Sequence, residues 1–124
     1  MPIGYDDFSD VSFYCVLNTS FRMDQGTAAA AICIGFMSLY MKLELDDVKG
    51  QYLDTWTSNG QRILVFSGYD HNHLKFLEKE VKYSALDSHS YYKTWGKGRV
   101  ILVLTIFGRE DNLEEIFDGL PLLR

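Results

Sequence analysis

The sequence has very little cysteine, with only Cys15 and Cys33 among 124 residues. Small secreted domains that depend on disulfides need more cysteine than this, so a disulfide-bonded scaffold is excluded. Neither residue belongs to a CxxC motif or to a Cys/His cluster, and each lies in an apolar segment. We therefore expect two buried free thiols and a reducing compartment, either the cytoplasm or the nucleus.

Positive charge and long hydrophobic runs are also scarce. Twelve Lys and Arg against seventeen Asp and Glu give a net charge of −5, which argues against general binding to nucleic acids or anionic membranes. The longest apolar run, Ala28–Met37, is too short to span a bilayer and fits a buried core helix. The acidic start of the chain has no apolar segment typical of a signal peptide. We expect residues 1–10 to form a flexible acidic arm and residues 11–124 to form a single domain.

Hydrophobic residues make up 47% of the chain and follow the periods of strands and helices. The predicted strands are Val11–Leu17, Arg62–Ser67, Tyr83–Asp87 and Arg99–Phe107, and Ser88–Gly98 is predicted to be a loop. The predicted helices are Asp24–Leu43, Leu45–Thr57, Asp70–Val81 and Asp111–Phe117. This order predicts an α/β fold: a three-layer domain with a small mixed sheet of about four strands flanked by helices.

The segment MDQGTAAAAICIGFMSLY, residues 23–40, combines a polar, glycine-containing helix start with an alanine-rich helix. It resembles the type 2 peptidyl-tRNA hydrolase family, in which a Met-Gly-Lys-Gly-Lys loop leads into a helix bearing Ala-Ala-Gln-x-x-His-Ala-Ala, with a serine and a tyrosine further on. The positions that agree are Met23, Gly26, Ala29, Ala30, Ser38 and Tyr40. Near the end, FDGLPLL is similar to the family's closing Gly-x-Leu-x-Leu turn. The resemblance covers about Ser12 to Leu123 and implies the family's fold and its activity, the hydrolysis of the ester in peptidyl-tRNA.

The departures from the family pattern fall on the residues that the resemblance implies for catalysis. The family's two loop lysines, helix glutamine, helix histidine, strand-end aspartate and following threonine correspond here to Gln25, Thr27, Ala31, Ile34, Ser88 and Tyr92. Positions 27, 31, 34 and 38 share one helix face by their spacing. Ester hydrolysis needs an activated water and a group that stabilises the oxyanion, and this face offers neither a base nor a cation.

Our first hypothesis is therefore a non-catalytic relative of the family that works as a protein–protein interaction module through an apolar groove. The candidate binding residues are Thr27, Ala31, Ile34, Ser38, Tyr91, Tyr92 and Trp95. A segment rich in aromatic residues, such as Tyr91 to Trp95, is a natural interface anchor. The expected partner is another protein or a second copy of the chain, with no cofactor and no membrane.

Two alternatives stay open. The first is a divergent active peptidyl-tRNA hydrolase with a relocated catalytic site at Asp87, His89 and Lys93. The second is RNA binding without hydrolysis through the acid-free basic stretch Lys93–Arg109, although the net charge predicts weak affinity for tRNA. A metal site is not expected, because the polar segment Asp70–His73 has too few further ligands and is typical of a helix start.

Overall fold

The computed structural model describes residues 11–109 and 113–120, and it describes Trp95 by its backbone alone. In chain order the elements are β1 (Val11–Asn18), α1 (Gln25–Glu44), α2 (Asp47–Ser58), β2 (Ile63–Gly68), α3 (His71–Tyr83), β3 (Asp87–Trp95) and β4 (Gly98–Arg109). The strands form one sheet in the order β2-β1-β4-β3. β1 runs parallel to β2, and β4 runs antiparallel to both β1 and β3. The predicted mixed α/β sheet is confirmed.

The sheet has helices on both faces because its central strands are apolar on both sides. Every residue of β1 is buried, as are eight of the twelve residues of β4. On one face, β1 and β4 pack against α1 and α2. On the other face they pack against α3 and the segment 113–120. The three layers therefore bury two hydrophobic cores, one on each side of the sheet.

α1 approaches the sheet closely at a single small residue. The carboxylate of Asp24 caps the helix by accepting the N–H of Thr27 at 2.7 Å. The buried positions then recur every fourth residue, at Ala31, Gly35, Leu39 and Leu43. A Cβ on Gly35 would lie 2.8 Å from Oγ1 of Thr105, so only glycine fits this crossing without a shift.

Among the described helices, α1 alone is long and apolar enough to cross a membrane, judged by length and composition. Core helices of globular domains pass the same test. Here one side of α1 packs against the two central strands, β1 and β4, which are part of the same sheet. Only 22% of its most apolar window is buried, so the prediction of a buried core helix holds for the side that faces the sheet and not for the rest of α1.

An aromatic cluster holds α1 and α2 against the sheet. The ring of Phe13 lies 4.7 Å from Phe36 of α1 and 4.9 Å from Trp56 of α2, both in edge-on geometry. The indole N–H of Trp56 donates to the carbonyl of Arg62 at 2.8 Å, which satisfies the polar atom of this buried side chain. The cluster holds the side of α1 that carries Phe36 against the sheet, and the opposite side of α1 therefore faces solvent.

The prediction for residues 83–98 is wrong. Tyr83 ends α3, and the segment assigned to a loop, Ser88–Gly98, forms most of β3 and its turn into β4. Among the described strands, β3 lies at the edge of the sheet and pairs with β4 alone. The side chains of residues 87–94 remain partly exposed, and the sequence DSHSYYKTW lacks the hydrophobic run that marks a central strand.

Three other expectations concern the chain ends and the cysteines. Residues 1–10 lie outside the described residues, and so does Asp111, the first residue of the predicted last helix. The described part of that predicted helix forms one turn, in which the N–H of Phe117 donates to the carbonyl of Leu113 at 3.0 Å. Cys15 is buried as predicted, but the prediction for Cys33 is wrong, since it is exposed. Cys33 lies on the side of α1 away from the sheet.

Candidate functional site

The four positions of the predicted site face of α1 differ in their burial. Thr27 is exposed in the first turn, Ala31 is only 3% exposed, and Ile34 is 45% exposed. The hydroxyl of Ser38 donates to the carbonyl of Ile34 at 2.8 Å, within the helix itself. No carboxylate, imidazole or ammonium group lies at these four positions. Ala31 is too deeply buried to contact a partner, which corrects its assignment as a binding residue.

The side chains of β3 alternate between the two faces of the sheet. Tyr91 packs beside Ala31 in the cluster under α1. Tyr92 packs on the opposite face, where its hydroxyl accepts a hydrogen bond from Lys75 of α3 at 3.0 Å. The predicted groove containing both tyrosines is therefore wrong, because their side chains pack in clusters on opposite faces of the sheet. The side chain of Trp95 lies outside what the structure describes.

The residues of the alternative catalytic site share one face of β3 without converging. Asp87 forms an ion pair with Lys49 of α2 at 2.7 Å, and Lys93 sits over the ring of Phe21 at 5.5 Å. Asp87 and Lys93 are six residues apart, which separates them by about 20 Å along an extended strand. Burial, with a smaller effect of Lys42, lowers the pKa of His89, so its imidazole is neutral at pH 7.

A row of three side chains that the sequence did not reveal crosses the sheet under α1. Cys15 lies opposite Thr105 on β4, and Thr105 lies opposite His89 on β3. Gly35 of α1 rests on the middle of this row, at Thr105. Burial raises the pKa of the Cys15 thiol to about 11, so the thiol stays protonated and is not a nucleophile at neutral pH. Cys15 and Thr105 are fully buried and His89 is half-buried, so the two inner members of the row belong to the core and are closed to a substrate.

A second polar cluster, also missed from the sequence, lies on the α3 face. The buried carboxylate of Glu78 accepts hydrogen bonds from Ser90 of β3 and from Lys75 at 3.1 Å. Desolvation would raise the pKa of Glu78, but these bonds together with the charges of Lys75 and Lys82 lower it below its ordinary value. The partners neutralise one another, and the cluster ties α3 to the edge strand.

The basic stretch Lys93–Arg109 forms the β3–β4 hairpin and does not present one positive surface. Lys93 lies on the α1 face, whereas the guanidinium of Arg99 lies 4.4 Å from the ring of Tyr92 on the α3 face. A continuous electrostatic track for RNA needs its cations on one side. Lys93 and Arg99 lie on opposite faces of the hairpin and do not form such a track.

A cavity of about 340 Å³ lies at the end of the sheet where β1 ends and α3 begins. It is lined by Asn18, Ser20, Phe21, Asp70, His71, Asn72 and Val100. Nδ1 of His71 accepts the N–H of Ile101 at 3.0 Å, so a neutral His71 carries its proton on Nε2. Asp70 caps α3 by accepting the N–H of His73 at 2.9 Å, as its position predicted. Within the described residues, no group of three His, Cys, Asp or Glu could hold a metal ion.

The outer side of α1 carries a line of exposed large hydrophobic side chains that continues into α2. Ile34 is followed by Met37 and Met41, which are 52% and 60% exposed. Leu45 and Val48, beyond the end of α1, are more than half exposed as well. We call these five residues the outer stripe. Contiguous apolar surface of this kind is typical of binding sites.

Comparison with known proteins identifies the family. The family model for peptidyl-tRNA hydrolase PTH2 matches residues 11–123, nearly the whole chain. No curated protein matches it. The chain is similar to the solved structure of a protein of unknown function from Agrobacterium tumefaciens strain C58, with a TM-score of 0.60 and 10% identity over 93% of this chain and 98% of that one. That identity supports the fold alone, whereas the family model matches the sequence over almost its full length. The chain belongs to the PTH2 family of peptidyl-tRNA hydrolases.

Proposed function

We propose that this PTH2-family domain does not hydrolyse peptidyl-tRNA and instead binds protein through the outer stripe. The observation that supports this proposal is the side-chain content of the helix face at Thr27, Ala31, Ile34 and Ser38. By the resemblance given above, the family carries a lysine, a glutamine and a histidine at the first three of these positions. Here they are a hydroxyl, a methyl group and an aliphatic chain.

The physical consequence is a large loss of transition-state stabilisation. Removing one group that stabilises an oxyanion lowers the rate by about 10²- to 10³-fold. A positioned general base contributes a further factor of about 10² to 10⁴. The groups that remain nearby do not substitute for them, because Asp87 is engaged by Lys49 and His89 is held neutral under α1.

The outer stripe supports the binding part of the proposal. Its members stand clear of both hydrophobic cores, so their exposure is not required by the packing of the domain. Methionine side chains adapt to irregular partner surfaces, and two of the five residues are methionine. Both cysteines of the chain are free thiols, Cys33 on the surface, and we infer that the module works in a reducing compartment, the cytoplasm or the nucleus.

The first experiment is cleavage of an N-blocked aminoacyl-tRNA with the protein in excess over substrate. We expect no release of the amino acid above the uncatalysed rate. Turnover that is abolished by Asp87→Asn and retained by Asp54→Asn, a change at an exposed acid of α2, would overturn the proposal. It would instead support the divergent hydrolase with its site on β3.

The same tRNA tests the remaining alternative by fluorescence titration at physiological salt. We expect weak binding that falls steeply as salt increases, because the net charge is −5. Submicromolar affinity that is lost in Lys93→Glu and Lys97→Glu variants, and kept in Lys79→Glu, would favour RNA binding without hydrolysis.

A further inference from the structure

A cavity of about 460 Å³ lies between α3 and the segment 113–120. We call it the α3 cavity, and its lining residues are Phe76, Glu80, Tyr83, Ser84, Glu115 and Ile116. The elements that form it pack on one face of the sheet, whereas α1 and α2, which carry the outer stripe, pack on the other. Its volume lies within the range of small-ligand sites. Binding at the α3 cavity is therefore separate from the proposed function.

Two aromatic side chains of α3 line this cavity without belonging to a hydrophobic core. Phe76 is 57% exposed and Tyr83 is 92% exposed, and neither is part of the packed clusters. Phe76, Glu80 and Tyr83 are separated by four and three positions, so they follow one face of the helix. The face of an aromatic ring carries partial negative charge and attracts a cation. The two rings therefore favour a positively charged ligand.

Two carboxylates from different elements also line the α3 cavity. Glu80 belongs to α3, and Glu115 belongs to the segment 113–120. Within the part of the chain that the structure describes, neither carboxylate has an ion-pair or hydrogen-bond partner. The same described part places no lysine, arginine or histidine in the lining. The negative charge of the cavity is therefore left for a ligand to neutralise.

The lysines of α3 do not supply this neutralisation. Lys75 and Lys82 lie 3.1 Å and 3.8 Å from the carboxylate of Glu78, in the polar cluster that faces β3. Lys79 follows Phe76 by three positions and precedes Tyr83 by four. At 100° per residue, this spacing puts Lys79 on the opposite side of the two rings from Glu80.

The end of α3 adds to the negative potential of the cavity. The helix ends at Tyr83 and its C-cap is Ser84, and both residues line the cavity. The C-terminal end of a helix carries the negative end of the helix dipole, where cations are favoured. The aromatic rings, the carboxylates and the helix end thus agree on the sign of the ligand's charge.

The kind of cation follows from the same groups. A metal ion does not fit, because no group of three His, Cys, Asp or Glu among the described residues could hold one. A guanidinium group is planar, stacks on aromatic rings and forms paired hydrogen bonds to a carboxylate, and it is less strongly hydrated than an ammonium group. Free arginine also carries a carboxylate, which the two glutamates would repel. An arginine within a polypeptide has no such charge beside it.

We propose that the α3 cavity binds the guanidinium group of an arginine side chain in a segment of a partner protein. The ring faces of Phe76 and Tyr83 hold the guanidinium plane, and Glu80 and Glu115 accept its hydrogen bonds.

Titration with a blocked tripeptide, acetylated and amidated glycyl-arginyl-glycine, tests the ligand class. In ¹H–¹⁵N correlation spectra we expect saturable shifts of the amide signals at the end of α3 and in the segment 113–120, with a Kd of about 1 mM or higher for a single side chain. The matching citrulline peptide has the same shape without the charge and should bind at least about 5-fold more weakly, as should free arginine. Equal affinity of the arginine and citrulline peptides would overturn the proposal, and so would shifts confined to other parts of the domain.

Substitutions in the cavity test the site. Glu80→Gln and Glu115→Gln should each weaken binding of the arginine peptide by about 2- to 5-fold, and Phe76→Ala by a similar factor. Glu44→Gln is the matched control, because Glu44 is an exposed acid at the end of α1 and its replacement should leave the affinity unchanged. Unchanged spectra away from the cavity show that each variant is folded. Full affinity in the variant that combines Glu80→Gln and Glu115→Gln would overturn the site.

A dilution series identifies the source of the arginine. If the cavity is free for a partner, the amide signals around it should not depend on protein concentration in the absence of peptide. Shifts of these signals as the protein is concentrated, lost in Glu115→Gln, would mean that a second copy of the chain occupies the cavity and would overturn the assignment to a different protein. The tRNA cleavage assay is independent of all these results, so the failure of either proposal leaves the other standing.

Discussion

Replacing Gly35 with alanine should destabilise the domain, although alanine is the better helix former. The gain in helix propensity is about 1 kcal/mol. Against this gain, the new Cβ would lie 2.8 Å from Oγ1 of Thr105, closer than such atoms approach without a shift of the helix or the strand. Overpacking of a core typically costs about 1–3 kcal/mol. We therefore expect the free energy of unfolding to fall by about 1 kcal/mol, measured by urea denaturation.

The origin of this loss is tested by a double-mutant cycle with Thr105→Ala. That substitution removes Oγ1, and the other close atom, Cγ1 of Val103, lies at an ordinary 3.8 Å. In the Thr105→Ala background, Gly35→Ala should change sign and stabilise the domain by about 0.5–1 kcal/mol, which corresponds to a coupling energy of about 2 kcal/mol. An equal loss of stability in both backgrounds would refute the claim that contact with Thr105 sets the position of α1 on the sheet.

Three further predictions concern the surface and the two polar clusters. Ile34→Lys should lower the free energy of unfolding in dilute protein by about 1 kcal/mol or less, because Ile34 is 45% exposed, whereas Leu39→Ala at a fully buried position should cost about 2–5 kcal/mol; equal losses in the two variants would place Ile34 in the core. Iodoacetamide at pH 8 should label one cysteine in dilute native protein, the exposed Cys33, and two in urea, because burial raises the pKa of Cys15 to about 11. The lowered pKa of Glu78 means that its contribution to stability is present at neutral pH and is lost as the pH falls below the ordinary value of 4.5, so Glu78→Gln should flatten the decline of stability in acid, measured by urea titrations from pH 7 to pH 3.

The central elements could be predicted from the sequence because their local signals agree with the fold. β1 and β4 are continuous apolar runs, as strands buried on both faces require. Asp24 and Asp70 mark the starts of α1 and α3, and each accepts a backbone N–H as a capping residue does. The predictions of β1, β2, β4 and the first three helices are confirmed.

β3 could not be predicted in the same way because an edge strand has a different requirement. Its hydrogen bonds are made on one side only, and its side chains can be polar where helices do not cover them. Because Ser88–Gly98 was predicted to be a loop, Tyr91 and Tyr92 were assigned to the same groove. In a strand, neighbouring side chains point to opposite faces. The opposite directions of Tyr91 and Tyr92 follow from the strand and from nothing in their identities.

For α1, the sequence predicts that part of the helix is exposed but not which side is exposed. That Ala28–Met37 is apolar on every side indicates that part of its surface is not covered by the sheet, and this is so for Ile34 and Met37. The sequence does not say which side is covered. That choice is made by the close crossing at Gly35 and by the packing of Phe36 against Phe13, both of which join residues far apart in the chain.

Under the proposed function, the same helix explains how a PTH2 fold can be kept while the family's site residues are replaced. The packing of α1 depends on Gly35, Leu39 and Leu43, and none of them is a position that the resemblance assigns to catalysis. Ala31 is the exception, because it is buried in the core at the position that corresponds to the family's glutamine. A polar group at so buried a position costs free energy unless it is fully hydrogen-bonded, so alanine there favours folding while it removes a site residue. If the domain is non-catalytic, as we propose, the stability of the fold therefore favours the replacement of this site residue.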